Sequence, residues 1–270
     1  MPSSPTGAAR AVLFDLDDTL LPWQTVAHWQ WAWRPRGPVL SERHVLAAIH
    51  RSLHAWDRRR WRGLVGESPP ADAAAYREHL ESTLAAIAGH ALPSDETNAV
   101  VTRFLHPAGE IETFPDVVPC LARLASDGIP VAVTSSLGAE PAQVALRRVG
   151  LGDLKIVATA DAPTPAIPAA AAWRAVAESL GLRPREILYV GDLFWSDIRA
   201  AARVGFPTAL VDRRDWLPRV LARRIRSLAD LPAIVAAPGE EPAPDSAESS
   251  APPAGPDEPP AAQPPVERKI

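Results

Sequence analysis

The chain runs to 270 residues, 47% of them hydrophobic, which is ample for a core and excludes disorder throughout. No apolar run approaches the ~20 residues of a membrane span, the opening MPSSPTGAAR lacks a signal-peptide apolar region, and the one cysteine, Cys120, builds neither a disulfide nor a zinc site alone, so a reduced, cytoplasmic protein is expected. The net charge of −4 sits in the last stretch: 238–270 carries −5, leaving a near-neutral body with no bulk electrostatic case for nucleic acid.

In chain order, 11–14 (AVLF) is a short apolar run that stops at Asp15. The runs 129–134 (IPVAVT), 156–159 (IVAT), 187–190 (ILYV) and 208–211 (TALV) have the same character. Continuous apolarity over so few residues suits strands buried on both faces of a parallel sheet. Between them lie helical patterns near 117–127, 141–149, 169–180 and 196–204, ended by Gly128, Gly150, Gly181 and Gly205. This alternation predicts an α/β fold with a doubly wound parallel sheet.

Residues 22–112 break the rhythm. They hold no buried-strand run but show amphipathic stretches near 23–33, 41–58, 72–89 and 94–105, separated by Pro/Gly/Ser breaks. An all-helical insertion between the first strand and the rest of the sheet is expected. At the other end, 237–270 holds ten of the 30 prolines from Pro238 onward and seven acids, and predicts a disordered, solvated tail.

Three places carry chemistry. The first is Asp15-Leu16-Asp17-Asp18-Thr19, directly after the first strand. Ligands in open parallel sheets sit beyond the carboxyl ends of strands, and two carboxylates converging there repel unless a cation lies between them. Mg²⁺ is the natural partner, although an acidic turn capping the next helix fits the same residues. The second is Gly191-Asp192-Leu193-Phe194-Trp195-Ser196-Asp197 after ILYV, where Asp192 could reach the same cation and Asp197 could steady the loop or cap a helix. The third is the hydroxyl-rich strand end Thr134-Ser135-Ser136, a possible phosphate cradle.

Together and in this order, these motifs resemble the haloacid dehalogenase-like superfamily: DxDxT after the first strand, Thr or Ser ending the second, GDxxxxD after the fourth. The resemblance spans roughly residues 10–236. It implies a Rossmann-like core formed by 10–21 and 113–236, with 22–112 as a helical cap. It also implies that Asp15 is a nucleophile forming an aspartyl-phosphate, and that Asp17 is the general acid and base. Mg²⁺ would be held by the Asp15 and Asp192 carboxylates and the Asp17 carbonyl, with Asp197 supporting the loop. Thr134 and the N–H of Ser135 would hold phosphate oxygens. A carboxylate at Asp17 points to the phosphatase branch, because the family's dehalogenases lack one there.

The implied activity is hydrolysis of a small phosphorylated metabolite. One departure bears on it. The family places a lysine before the helix that precedes GDxxxxD, whereas the matching position here is Ile167, or with a slipped alignment Thr164, and no lysine occurs from 156 to 268. Lys155 falls at the wrong end of its strand. Arg174, or a cap arginine (Arg34, Arg58, Arg59, Arg60), could bring charge from elsewhere, though a planar guanidinium does not simply replace an ammonium. Slow turnover is expected. A degenerate member that binds a phosphorylated ligand or a partner, and a phosphosugar mutase, stay open as alternatives.

Other residues read as structural. Trp29, Trp33 and Trp56 are expected in the cap core, while Trp23 and Trp195 fit either packing or the site. The run Arg58-Arg59-Arg60-Trp61-Arg62 reads as a solvated helix face, which as a cap surface could also meet an anionic substrate. Cys120 and the seven histidines show no ligand spacing, and no P-loop is present to suggest an ATPase or kinase.

Overall fold

The computed structural model describes residues 8–34, 41–64, 73–105, 112–135, 138–158 and 170–236. In chain order the elements are β1 (Ala11–Asp15), α1 (Val26–Trp33), α2 (Glu42–Leu64), α3 (Ala73–Ala88), α4 (Ser94–Leu105), α5 (Val117–Ser126), β2 (Val131–Thr134), α6 (Ala139–Arg148) and β3 (Lys155–Ala158). They continue with α7 (Ala170–Ser179), β4 (Ile187–Gly191), a π-helical segment Phe194–Arg199, the short α8 (Ala200–Ala202), β5 (Thr208–Val211), β6 (Arg224–Ile225) and α9 (Leu231–Ala236).

β1 shows why the apolar runs become strands. All five of its residues are buried, and alternate side chains point to opposite faces of a strand. Val12 and Phe14 join a cluster with Val117, Cys120 and Leu124 of α5 and Leu146 of α6. Ala11 and Leu13 join a second cluster with Trp173, Val176 and Ala177 of α7. Helices therefore cover both faces, which only a continuous apolar run satisfies.

The strands are all parallel in the order β3-β2-β1-β4-β5-β6. The chain works outward from β1 to β3, then returns to lay β4 on the other side of β1. The carboxyl ends of β1 and β4 thus flank the point where winding reverses, the place such sheets bind ligands. Asp15 ends β1 and Gly191-Asp192 ends β4.

Two details differ from expectation. The segment after β4 forms a π-helical turn before α8 rather than a helix near 196–204. β6 has only two residues, set among arginines, and offers no apolar run to read. Lys155 lies where expected, at the strand end away from the site: it is the first residue of β3, and its Nζ donates to the Ser179 carbonyl at 3.4 Å. Ile167 and Thr164 lie outside the described residues, as do 237–270.

The described residues of the insertion form helices as expected, with α2 packed on α3 and α1 on α4. Phe104 of α4 anchors it: its ring centroid lies 4.2 Å from Trp29 and from His28, and Trp23 meets it edge-on at 6.5 Å. Trp23, Trp29 and Trp56 are core residues, which settles the open reading of Trp23. Burying an aromatic side chain of this kind contributes roughly 1.5–3 kcal/mol. His28 donates from Nε2 to the Phe104 carbonyl at 2.9 Å, and burial lowers its pKa to about 4, so it packs as a neutral ring. Among the described residues no helix is long and apolar enough to cross a membrane.

Candidate active site

The loop after β1 turns sharply. Asp18 has φ +57°, a left-handed conformation that short polar side chains tolerate, and its two carboxylate oxygens accept the Gln24 N–H at 2.9 Å. Its own N–H reaches back to the Leu21 carbonyl at 2.7 Å. Asp18 therefore shapes the loop, leaving Asp15 and Asp17 at the mouth of the sheet. Asp15 is paired in register with Thr134 at the end of β2. The Thr134 hydroxyl donates to the Phe14 carbonyl at 3.4 Å, and the Ser135 hydroxyl donates to Asp17 Oδ2 at 3.2 Å.

From the other side, Gly191 brings the second motif into place. A Cβ at this position would stand 2.9 Å from Asp197 Oδ2 and 3.0 Å from Tyr189 Cε1. Glycine is required here for the close approach of Asp197, whose Oδ2 also accepts the Leu193 N–H at 3.2 Å. As a result Asp15, Asp192 and Asp197 each place a carboxylate oxygen within 4.8 Å of the others. The expected residues Asp15, Asp17, Thr134, Ser135, Asp192 and Asp197 thus gather at one end of the sheet. Asp197 both supports its loop and stands in the carboxylate cluster, while the Asp17 carboxylate turns to Ser135.

Electrostatics follow from this crowding. Burial, then Asp197, Asp17 and Asp192, push Asp15 well above the usual carboxylate range, and Arg60 opposes them. Asp192 is raised well above its usual range by burial, Asp18 and Asp197. Burial raises Asp197 to about 7, against the pull of Arg60. Buried carboxylates this close cannot all ionise without a compensating cation. An oxygen-only donor set that demands positive charge fits a hard divalent ion such as Mg²⁺.

Two further residues of this site come from α2: Asp57, which escaped the sequence reading, and Arg60, which was one of several candidate cations there. Asp57, 2% exposed, accepts the N–H of Trp195 at 2.9 Å and of Ser196 at 2.7 Å, closing the free start of the π-helical segment. Arg60 corrects the reading of its arginine run as a solvated face. Its side chain is 6% exposed, Nη1 donates to Ser196 Oγ at 3.2 Å, and the same nitrogen lies 3.7 Å from Asp197 Oδ1. The signal was present in the helical phase: Val45, Ile49 and Trp56 are buried, and Arg60 follows Trp56 by one turn on that stripe. Of the other candidate cations, Arg34, Arg59 and Arg174 are exposed, Arg59 pairing with Glu78, and Arg58 lies over the Trp195 ring. Trp195 itself packs on Trp61 of α2, with ring centroids 5.7 Å apart, and against the core cluster on one face of the sheet.

A cleft opens beside Asp192, between α2 and the turn after β5, lined among others by Asp18, His54, Asp57, Arg213 and Arg214. Arg213 is tied into the frame: it bonds Asp116 at 2.7 Å and the Thr19 carbonyl at 2.9 Å.

Comparison with known proteins agrees with this arrangement. The glyceraldehyde 3-phosphate phosphatase of Methanopyrus kandleri is 30% identical over 234 residues, covering 78% of this chain and 88% of that one. An enolase-phosphatase E1 of Sorangium cellulosum is 32% identical over 136 residues, 49% of this chain and 54% of its own, so the chain spans about half the length of that relative. In fold it resembles the L-2-haloacid dehalogenase of Xanthobacter autotrophicus, with a TM-score of 0.61 at 24% identity, covering 84% of this chain and 98% of that one. It also resembles a HAD family hydrolase of Deinococcus radiodurans R1 with bound phosphate and sodium, with a TM-score of 0.56 at 21% identity, covering 85% and 96%. The family model for haloacid dehalogenase-like hydrolases matches residues 9–205, from the residues before β1 to the glycine after α8. With both aspartate motifs inside that match, the chain belongs to the haloacid dehalogenase-like hydrolases.

Proposed function

We propose that this chain is a Mg²⁺-dependent phosphatase that hydrolyses a small phosphorylated metabolite, with 22–112 as a cap over a catalytic core of 10–21 and 113–236. The observation that carries the reading is the pairing of Asp15 at the end of β1 with a second carboxylate, Asp17, held by the Ser135 hydroxyl at 3.2 Å. Phosphoryl transfer through an enzyme carboxylate needs one group to attack and another to move protons. The relatives named as phosphatases support the same branch.

The chemistry divides between these residues. An Asp15 oxygen attacks phosphorus; the bond to the ester oxygen breaks, and Asp17 gives that oxygen its proton. The ionised Asp17 then takes a proton from water, whose oxygen attacks phosphorus and breaks the acyl-phosphate bond, restoring Asp15. Thr134 and the Ser135 N–H lie beside Asp15 and Asp17, where donors favour the charge on the transferring oxygens. Asp15 and Asp192, with the Asp17 carbonyl, would hold Mg²⁺, which offsets the repulsion between an anionic nucleophile and an anionic phosphate. Asp197 keeps the Asp192 loop in place.

A panel of phosphate esters, phosphosugars included, assayed with and without Mg²⁺ tests the reading. Metal-dependent phosphate release that disappears in Asp15→Asn is expected. No release from any ester, or release that survives Asp15→Asn, overturns it, and isomerised phosphosugar would mark a mutase instead.

A further inference from the structure

The centre carries a surplus of negative charge that Arg214, the arginine after β5 acting on Asp192 and Asp18, offsets only in part, since both carboxylates stay raised. Asp15, Asp192 and Asp197 crowd within 4.8 Å, Asp17 stands beside them, and Asp57 adds a further buried carboxylate against the same loop. The chain has two lysines: Lys155 bonds the Ser179 carbonyl at the far end of β3, and Lys269 lies in the C-terminal stretch. A buried guanidinium does reach the cluster, and it comes from the insertion: Arg60, within 3.7 Å of Asp197.

Arg60 does not act alone. Asp57 stands one turn before it on α2 and accepts two consecutive N–H groups of the loop that Arg60 engages at Ser196 and Asp197. One helix face thus grips the loop by its backbone and by its side chains. That loop carries both Asp192 and Asp197. Trp61 on Trp195, with Arg199 and Arg203 over the Trp61 ring, extends the contact outward.

We propose that Asp57 and Arg60 form a clamp on the cap that positions the Asp192–Asp197 loop, and that Arg60 supplies a fixed cation to the Asp15 and Asp197 side of the centre, where the phosphoryl group binds. This deepens the phosphatase reading and rests on it for the identity of the anion. Arg60 is a positioning residue: it acts on the reacting groups through Asp197 and through its charge. This cation belongs to the cap, so its share of the charge balance is present only when α2 is seated on the loop.

The two roles of Arg60 give opposite signs that simple loosening of the loop does not. A positive charge beside the carboxylates favours an incoming anion and disfavours an incoming cation. Titrating Arg60→Met with inorganic phosphate at saturating Mg²⁺, and separately with Mg²⁺ alone, should show phosphate affinity falling about tenfold or more, as for loss of a charge-assisted partner. Mg²⁺ affinity should stay equal or rise by a few-fold. Arg60→Lys should return both toward wild type, and Asp57→Asn should weaken Mg²⁺ affinity by disturbing the loop while leaving the cation in place.

Phosphate affinity in Arg60→Met within about twofold of wild type, or an equal loss of phosphate and Mg²⁺ affinity that Arg60→Lys does not repair, overturns the assignment. So does a wild-type protein that binds no phosphate. If Arg60→Met does not fold, Arg60→Lys against Arg60→Gln gives the same comparison. The binding measurements need no turnover: a wild type that hydrolyses no ester yet shows the opposite-signed shifts retains the clamp and loses the phosphatase reading.

Discussion

Asp57 on α2 and Ser196 after β4 are 139 residues apart in sequence and 2.7 Å apart in space, carboxylate oxygen to backbone nitrogen. The same carboxylate takes the neighbouring N–H of Trp195. Truncating it strands two buried donors at once. Asp57→Ala should therefore cost about 1–3 kcal/mol for each unmet donor, visible as a lower denaturant midpoint, and ester hydrolysis should fall with it because the loop holding Asp192 loses its support.

Gly191→Ala tests how tightly the site is built. The added methyl group would stand 2.9 Å from Asp197 Oδ2 and 3.0 Å from Tyr189 Cε1, both buried with no room to yield. Overpacking of this kind costs about 1–3 kcal/mol. A thermal melt should show that loss, and a Mg²⁺ titration of activity should show a higher metal requirement. Unchanged metal dependence would mean that Asp197 is not part of the working cluster.

Asp15→Asn should abolish turnover and stabilise the metal-free protein. Burial and the neighbouring Asp197, Asp17 and Asp192 all disfavour charge on Asp15, and a neutral amide removes that conflict. A rise of a few degrees in the EDTA melt, roughly what 1 kcal/mol gives in a chain of this size, is expected. Active sites that hold such conflicts commonly gain stability when disarmed.

The metal-free protein should be most stable in acidic solution. Asp15 and Asp192 are raised well above the usual range, Asp197 to about 7 and Asp18 to about 6, burial being the first cause in each. The folded state then holds more protons than the unfolded one, so stability rises as pH falls below about 8. Below about 6.5, His28 and His79, each lowered to about 4 by burial, oppose this gain. They resist protonation when folded and accept it when unfolded, but two such groups stand against four raised carboxylates, so the gain slows and continues until the unfolded carboxylates protonate near about 4. Melts across pH in EDTA should trace this rise, and Mg²⁺ should flatten it.

Phe104→Ala should unsettle the insertion. It removes the ring that contacts Trp29, His28 and Trp23, a cavity costing about 3–5 kcal/mol. Tryptophan fluorescence should shift to the red before the sheet unfolds.

Much of this molecule was legible in its residues because the physics there is local. A strand buried on both faces must be apolar along its length, so AVLF, ILYV and TALV declared themselves. A carboxylate that follows such a run must emerge at the carboxyl end of the sheet, which placed Asp15 and Asp192. The insertion was readable as helical from its amphipathic spacing and from the missing strands. What stayed hidden depends on distant partners. Arg60 was one of several candidate cations, but nothing local singled it out from its charged neighbours; Ser196 and Asp197, which draw it inward, lie well over a hundred residues away. β6 is two residues held by its pairing with β5 and carries no signal of its own. The π-helical turn is imposed by the close fit of Asp197 under Gly191 and by Asp57 at its start, neither of which a helical pattern encodes.

The seat of α2 on the Asp192–Asp197 loop turns molecular size into a chemical criterion. A guest small enough to leave α2 in place meets a loop whose N–H groups are satisfied and whose aspartates face a guanidinium. A guest that props α2 away uncovers the N–H groups of Trp195 and Ser196 and draws Arg60 from Asp197 in the same movement. A compound too bulky to leave α2 seated would lose these contacts as it binds, and its affinity should fall accordingly.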